Sequence, residues 1–196
     1  SAEALMACVD RTGYVEDLTF VAAERPPGSE HHAAVRGRCA ERFEALGYQV
    51  ELHEYGSGTN VIGVKTGASL PDERVLVAAH YDHIDGCPGA DDNGSGVAGL
   101  LEVARVLAQA EFDRTLVMAC WDQEEWGLIG SAAYAQRAHD RGEQIVANYT
   151  FEMIGVKKTE PDSQQLPVGI DLLFPDEYAQ LEDNEFRGDF IALVYD

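Results

Sequence analysis

Val75-Leu76-Val77-Ala78-Ala79-His80-Tyr81-Asp82 is the stretch on which the fold turns. Its first five residues are apolar without alternation. Such a short run suits a strand buried on both faces, as in the centre of a sheet with helices on either side. A second run of this kind is Thr115-Leu116-Val117-Met118-Ala119-Cys120-Trp121. Between them lies a helical pattern from about Gly94 to Ala110, with Val97, Leu100, Leu101, Ala104, Val106 and Leu107 turned to a core. A helix over 127–141, stopped by Gly142, and a strand over 145–154 follow. Strand, helix, strand, helix, strand predicts an α/β fold with a doubly wound, mostly parallel central sheet flanked by helices.

Outward from this centre the pattern is plainer. Residues 3–22 read as one helix, broken by Arg25-Pro26-Pro27-Gly28-Ser29. Ser29 can cap a second helix over about 30–47, which Gly47 ends. Residues 49–55 and 60–65 read as strands joined by the turn Gly56-Ser57-Gly58. Residues 157–188 are polar and carry Pro161, Pro167 and Pro175, with a short helix near 175–183. Residues 189–195 read as a final strand. The length of 196 residues suits one domain over 1–196 with a substantial core.

The formal net charge is −21, from 35 acidic and 14 basic residues. That excess argues against nucleic acid and anionic membrane surfaces, and it favours cations, metal ions and amines. No apolar run approaches the ~20 residues of a membrane span. Cys8, Cys39, Cys87 and Cys120 match no paired zinc pattern. Cys120 reads as a buried small hydrophobe and Cys87 as a loop residue. Cys8 and Cys39 both fall in the N-terminal helical part, where a disulfide and two free thiols are equally open readings.

Ligands in open α/β sheets collect at the carboxyl ends of the strands. His80, Glu124, Glu125 and Glu152 all fall at or near such ends. Taken alone, His80 is most simply a satisfied core residue. On a strand, however, His80 and Asp82 share a side, so Asp82 can hold the imidazole in one tautomer. The same alternation points His83 away. Asp91 and Asp92 open a helix after a glycine-rich turn, so one can cap while the other binds a metal. Glu124 and Glu125 are adjacent, and their side chains diverge. One can bind metal while the other acts as a base on water. Glu152, in an otherwise apolar strand end, needs a partner that a metal would supply.

The ordered blocks His80-Tyr81-Asp82, Pro88-Gly89-Ala90-Asp91-Asp92-Asn93-Gly94-Ser95-Gly96, Glu124-Glu125-Trp126-Gly127-Leu128-Ile129-Gly130-Ser131 and Phe151-Glu152-Met153-Ile154-Gly155 resemble the co-catalytic zinc aminopeptidase family. That family includes bacterial secreted aminopeptidases, glutamate carboxypeptidases and glutaminyl cyclases. Arg25-Pro26-Pro27-Gly28-Ser29 resembles its N-terminal region, and the likeness spans about residues 12–156. The resemblance implies a zinc-exopeptidase fold with a mixed, mostly parallel sheet, here without its C-terminal part. It implies that His80 and Glu152 bind a first zinc, that Asp92 bridges two, and that Glu125 binds the second. Glu124 would be the general base and Asp82 the support of His80.

Two departures qualify the resemblance. The family usually has Asp where this chain has Glu152. The family's second zinc takes a final His from a later loop, whereas the last histidine here is His139. The expectation is therefore two zinc ions by resemblance, with one the possible number here because that final His is absent. The expected function is an extracellular or periplasmic exopeptidase, an aminopeptidase by descent. It would hydrolyse the N-terminal bond of a peptide with a metal-activated water, with weak or absent activity for these 196 residues alone. The alternatives are a single-zinc acyltransferase of glutaminyl-cyclase type and a non-catalytic zinc-binding domain.

Overall fold

In the computed structural model, which describes residues 1–193, the contacts divide into two compact units, Ser1–Met153 and Ile154–Asp196. The first holds strands β1 (Gln49–Tyr55), β2 (Gly58–Lys65), β3 (Leu70–His80), β4 (Arg114–Trp121) and β5 (Gln144–Thr150). They form one sheet in the order β1-β2-β4-β3-β5. β3 is parallel to β4 and β5, while β2 is antiparallel to β1 and β4. The sheet is thus mixed with a parallel centre. The helices are α1 (Ala2–Met6), α2 (Arg11–Val21), α3 (Glu30–Ala45), α4 (Gly96–Ala108) and α5 (Ile129–Arg141).

The unalternated runs are central because both of their faces are covered. Val77 and Ala79 of β3, with Leu116, Met118 and Cys120 of β4, join a core with Val35, Cys39 and Phe43 of α3 and Val97, Leu100 and Leu101 of α4. The intervening Leu76, Ala78, Val117, Ala119 and Trp121 face the opposite side, where Tyr134 and Ala138 of α5 pack on them. Burying such side chains stabilises the fold by about 1.5–3 kcal/mol each.

Local chemistry moves several element boundaries from their expected positions. The helix expected over 3–22 is two helices, because Asp10 accepts a hydrogen bond from the Thr12 amide at 2.9 Å and so caps a new start. Ser29 caps α3 as expected, accepting from the His32 amide at 3.1 Å. α5 begins at Ile129 rather than 127, since Leu128 sits in the left-handed region at φ 61°. β5 stops at Thr150, so Glu152 lies just beyond the strand rather than within it. All four cysteines are free: Cys8 is exposed while Cys39 is buried, and the Cys8–Cys39 disulfide is not formed.

The second unit contains α6 (Ile170–Leu173) and α7 (Pro175–Asp183). Tyr178 and Phe186 pack with ring centroids 5.5 Å apart, and the Lys158 amide donates to the Gly188 carbonyl at 2.8 Å. The strand expected over 189–195 does not form over 189–193, where no neighbouring strand supplies backbone partners among the described residues. Its remaining residues lie outside the described ones. Among the described residues no helix is long and apolar enough to cross a membrane.

Candidate metal centre

The parallel register sets the site. His80 ends β3 directly opposite Trp121, the last residue of β4. The chain therefore leaves both strands on the same edge of the sheet. Past β4 it turns sharply, with Gln123 in the left-handed region at φ 57°. Gln123 is held there by its own amide, which donates to the Ser57 carbonyl at 2.9 Å, and by the Ser57 hydroxyl, which donates to Gln123 Oε1 at 2.7 Å. Glu124 and Glu125 follow this turn. Their backbone amides donate to Asp82 Oδ1 at 3.0 Å and Oδ2 at 3.3 Å. Asp82 is fully buried, and its Oδ1 lies 3.5 Å from His80 Nδ1. Asp82 thus sits behind His80 as expected and also ties the two strand exits together.

The loop from Tyr81 to Asp92 wraps around Arg25, whose side chain is wholly buried. The guanidinium donates to the carbonyls of Tyr81 at 2.9 Å, Pro88 at 2.8 Å, Gly89 at 2.8 Å and Asp92 at 3.3 Å. It thereby fixes the backbone that carries Asp82, His83 and Asp92. Burial pulls the Arg25 pKa down, opposed by Asp82, Asp92, Cys87 and Glu125. The Asp92–Asn93 peptide is cis. Asn93 is fully buried; its amide donates to the Phe151 carbonyl at 2.8 Å and to Glu152 Oε2 at 3.1 Å. That contact brings Glu152, beyond β5, towards the end of β3.

Among the described residues, two clusters result that could hold a metal ion: His80, Asp92 and Glu152, and His83, Asp92 and Glu125. In the first, His80 Nε2 lies 3.1 Å from Asp92 Oδ1 and 3.4 Å from Glu152 Oε2. Ligand atoms on a tetrahedral zinc at about 2.0–2.1 Å lie about 3.3 Å apart. Among the described residues, His80 Nε2, His80 Nδ1 and Asp92 Oδ1 are buried without a hydrogen-bond partner. The atoms are close, yet their approach lacks hydrogen-bond geometry, as expected of lone pairs aimed at a common point rather than at each other. Burial opposes a charge on His80, but Asp82 and Glu152 outweigh it and raise its pKa to about 10. The surroundings therefore call for a cation, and a proton and a metal compete for the same ring nitrogen. An imidazole nitrogen with carboxylate oxygens is a donor set that fits zinc.

Glu124 reaches toward the first cluster, its Oε2 3.9 Å from His80 Nε2. Burial is the main cause that raises its pKa; His80 opposes this, and Glu152, Glu125 and Asp82 add to it. Glu125 diverges, as the adjacent positions require, and its Oε1 lies 2.5 Å from His83 Nδ1. A cleft of ≈ 520 Å³ opens beside His80, Glu124 and Glu152. A larger one of ≈ 580 Å³, between His32, Tyr55, Asp122 and Trp126, contains none of the clustered ligands.

The residues expected at the site, His80, Asp82, Asp92, Glu124, Glu125 and Glu152, are thus brought together. His83 joins them against the expectation from alternation. β3 ends at His80, so strand geometry no longer governs the third residue beyond it. Arg25 and Asn93 were not singled out either. Arg25 lay in a stretch read as a helix break and as part of the family resemblance, with no role given to the arginine, and no spacing rule announces an arginine that binds backbone carbonyls.

Residues 60–181, more than half of the chain, match Peptidase family M28. Aminopeptidase YwaD of Bacillus subtilis is 37% identical over 99 residues, covering 49% of this chain and 22% of that protein. An aminopeptidase of Pseudomonas aeruginosa is 41% identical over 97 residues, covering 49% of this chain and 18% of that one. The chain therefore spans less than a quarter of the length of these curated relatives. Among solved structures, the LapA aminopeptidase of Legionella pneumophila superposes with a TM-score of 0.71 at 23% identity, over 79% of this chain and 44% of that one. A glutaminyl cyclase of Bacteroides thetaiotaomicron does so with a TM-score of 0.61 at 21% identity, over 88% and 70%. At that identity the likeness is one of fold. The matched stretch takes in both strand exits and the loop that carries Asp92, and by this match the chain belongs to peptidase family M28.

Proposed function

We propose that the chain is a zinc-dependent exopeptidase domain, and that its reaction is hydrolysis of the N-terminal peptide bond, that of an aminopeptidase. The observation that carries this reading is the convergence of His80 Nε2, Asp92 Oδ1 and Glu152 Oε2 without mutual hydrogen bonds, beside the carboxylate of Glu124. His80, Asp92 and Glu152 would hold one zinc, and Asp92 and Glu125 a second. When bound, zinc supplies Lewis-acid polarisation of the scissile carbonyl and lowers the pKa of the attacking water.

Glu124 takes a proton from that water as it attacks the carbonyl and passes it to the departing amine, so that one water is consumed per bond cleaved. A raised pKa suits this exchange, because a base must also give the proton back. Asp82 keeps His80 oriented and holds the Glu124 amide, so base and ligand keep a fixed separation. The local excess of carboxylates would attract the free α-ammonium of a substrate.

The test is release of nitroaniline from leucine p-nitroanilide by the zinc-loaded chain. Turnover that depends on zinc, and that falls by roughly 10³-fold in Glu124→Gln with zinc content unchanged, supports the reading. Equal turnover in Glu124→Gln, or turnover indifferent to chelator, refutes it. Cyclisation of an N-terminal glutaminyl peptide without hydrolysis would support the acyltransferase alternative instead. Bound zinc with neither reaction would support a binding domain.

A further inference from the structure

The ≈ 580 Å³ cleft takes no part in the proposed reaction, and none of the clustered metal ligands lines it. Its volume falls within the roughly 300–1,000 Å³ usual for small-molecule sites. Three segments enclose it: the N-terminal part of α3, the turn between β1 and β2, and the turn after β4. Most polar groups on these walls are already satisfied. The buried Asp122 carboxylate meets the His32 ring at 2.7 Å through Oδ1 and accepts from the Thr59 amide at 2.9 Å through Oδ2. The His32 ring in turn stacks on Tyr81, with centroids 4.7 Å apart. Gln123 and Ser57 bind each other, as the turn before Glu124 requires.

Two charged side chains on the wall differ. Arg36 is half-buried on α3, and Glu54 is exposed near the end of β1. Among the described residues neither makes a hydrogen bond or an ion pair, and they do not pair with each other. Every other half-buried arginine holds a carboxylate. Arg36 stands without one in a chain of 35 acidic residues. Its charge is felt inside the cleft. Burial and then Asp122 raise the pKa of Tyr81, whose hydroxyl donates to the Thr59 carbonyl at 2.8 Å, and Arg36 opposes that rise.

This lining selects its occupant by charge. A lone anion would gain Arg36 but meet Glu54 and Asp122, and a lone cation would meet Arg36. A zwitterion satisfies both free groups. The guanidinium fork matches a carboxylate, and Glu54 can accept from an ammonium. Trp126, 56% exposed at the rim, and Tyr55 offer aromatic surface to a side chain. We propose that this cleft binds the zwitterion of a free α-amino acid or a dipeptide, with Arg36 on its carboxylate and Glu54 on its ammonium. Free amino acids are also what the proposed reaction would release. Binding here needs neither metal nor turnover, so it stands or falls separately from that reading.

The test is isothermal titration calorimetry with L-phenylalanine, on the zinc-loaded and the chelator-treated chain. Both should bind one molecule per chain with equal affinity. L-Phenylalaninamide lacks the carboxylate and N-acetyl-L-phenylalanine lacks the ammonium. Each should bind about 10–100-fold more weakly, as for loss of a hydrogen bond to a charged group. Arg36→Gln should bind the acid and its amide alike, and Glu54→Gln should bind the acid and its N-acetyl form alike. Neither side chain has a partner to lose, so both variants should keep the wild-type urea midpoint. Lost selectivity at unchanged stability is then no folding effect. Phenylalanyl-phenylalanine, titrated against the chelator-treated chain so that it is not consumed, separates the two sources. Tighter binding than L-phenylalanine, with the same dependence on Arg36 and Glu54, assigns the zwitterion to a dipeptide, and the reverse order assigns it to a free amino acid. No saturable binding of either at millimolar concentration overturns the proposal. Binding that chelator abolishes and Arg36→Gln leaves unchanged belongs to the metal centre, and overturns it while the peptidase reading stands.

Discussion

Replacing Arg25 by Met should damage the metal centre without touching a ligand. The side chain is wholly buried and donates to the carbonyls of Tyr81, Pro88, Gly89 and Asp92, besides those of Val21 at 3.2 Å and Ala23 at 3.3 Å. Met fills similar volume, so the cavity contribution is small. The carbonyls decide the outcome. Gly89 keeps an acceptor contact from the Gly94 amide at 3.1 Å. Tyr81 and Pro88 lose their short charge-assisted bonds. Tyr81 is buried, so its carbonyl left unsatisfied costs about 1–3 kcal/mol, while the Pro88 carbonyl belongs to an exposed residue and can turn to water. Removing a buried charge returns part of this, since burial already disfavours the charged guanidinium. A net loss of about 2 kcal/mol follows, or roughly 4–8 °C in Tm for a chain of this size. Arg25→Lys keeps the charge but reaches fewer carbonyls, and should lose about half as much. Urea unfolding gives the stability, and cobalt(II) titration of the folded variants gives the site. Both metal positions should weaken, because the clamped loop carries Asp82, His83 and Asp92. A loss below about 1 kcal/mol with unchanged cobalt affinity would refute the clamp argument.

Gly89→Ala should lose about 2 kcal/mol or more by urea denaturation, from the left-handed backbone and the contact with the His83 ring. It should also weaken cobalt binding, because the added carbon would press on the Asp92 carbonyl, and unchanged cobalt affinity would contradict the close packing at Gly89. A pH effect is expected far from the site, at Glu102, whose Oε1 accepts from the Asp10 amide at 2.5 Å and from Arg105 at 2.7 Å. Burial pushes the Glu102 pKa up, but Arg105 and the Asp10 amide outweigh it, and the folded value lies below the ordinary one. Its contribution is present above the unfolded pKa of about 4.3 and is lost as pH falls through the lower folded value. Glu102→Gln should therefore lower the urea midpoint at pH 6 and converge with the wild type as pH falls below the ordinary carboxylate range; a constant difference across that range would contradict the linkage.

The parts of the fold legible in the sequence were those set by burial alone. Val75–Ala79 and Leu116–Trp121 have no alternation because both faces are covered, which places them inside the sheet rather than at its edges. Boundaries set by one local bond were harder to read. Asp10 restarts a helix through a single amide, and Leu128 delays one through a positive φ. At the site, His80 was legible because a strand fixes where its side chain points. His83 was not, because its ring is placed by Arg25, Gly89 and Glu125, which lie 58 residues before to 42 residues after it in the chain.

The same contrast explains how the centre divides its work. The imidazole of the first cluster, His80, ends β3, which pairs through its main chain with β4 and β5, so its position is inherited from the sheet register. A slip of one residue would turn His80 to the opposite face and replace it with Ala79 or Tyr81. The carboxylates sit on turns, where no such register operates, and each is tied by a separate polar contact: Asp92 through Arg25, Glu124 and Glu125 through Asp82, Glu152 through Asn93. Asp82 and Arg25 carry no reacting atom in this arrangement, yet each restrains several groups that would. Loss of one carboxylate should therefore subtract one ligand or one proton carrier. Loss of Asp82 or Arg25 should loosen the centre as a whole, with the effects on metal binding and on turnover rising together.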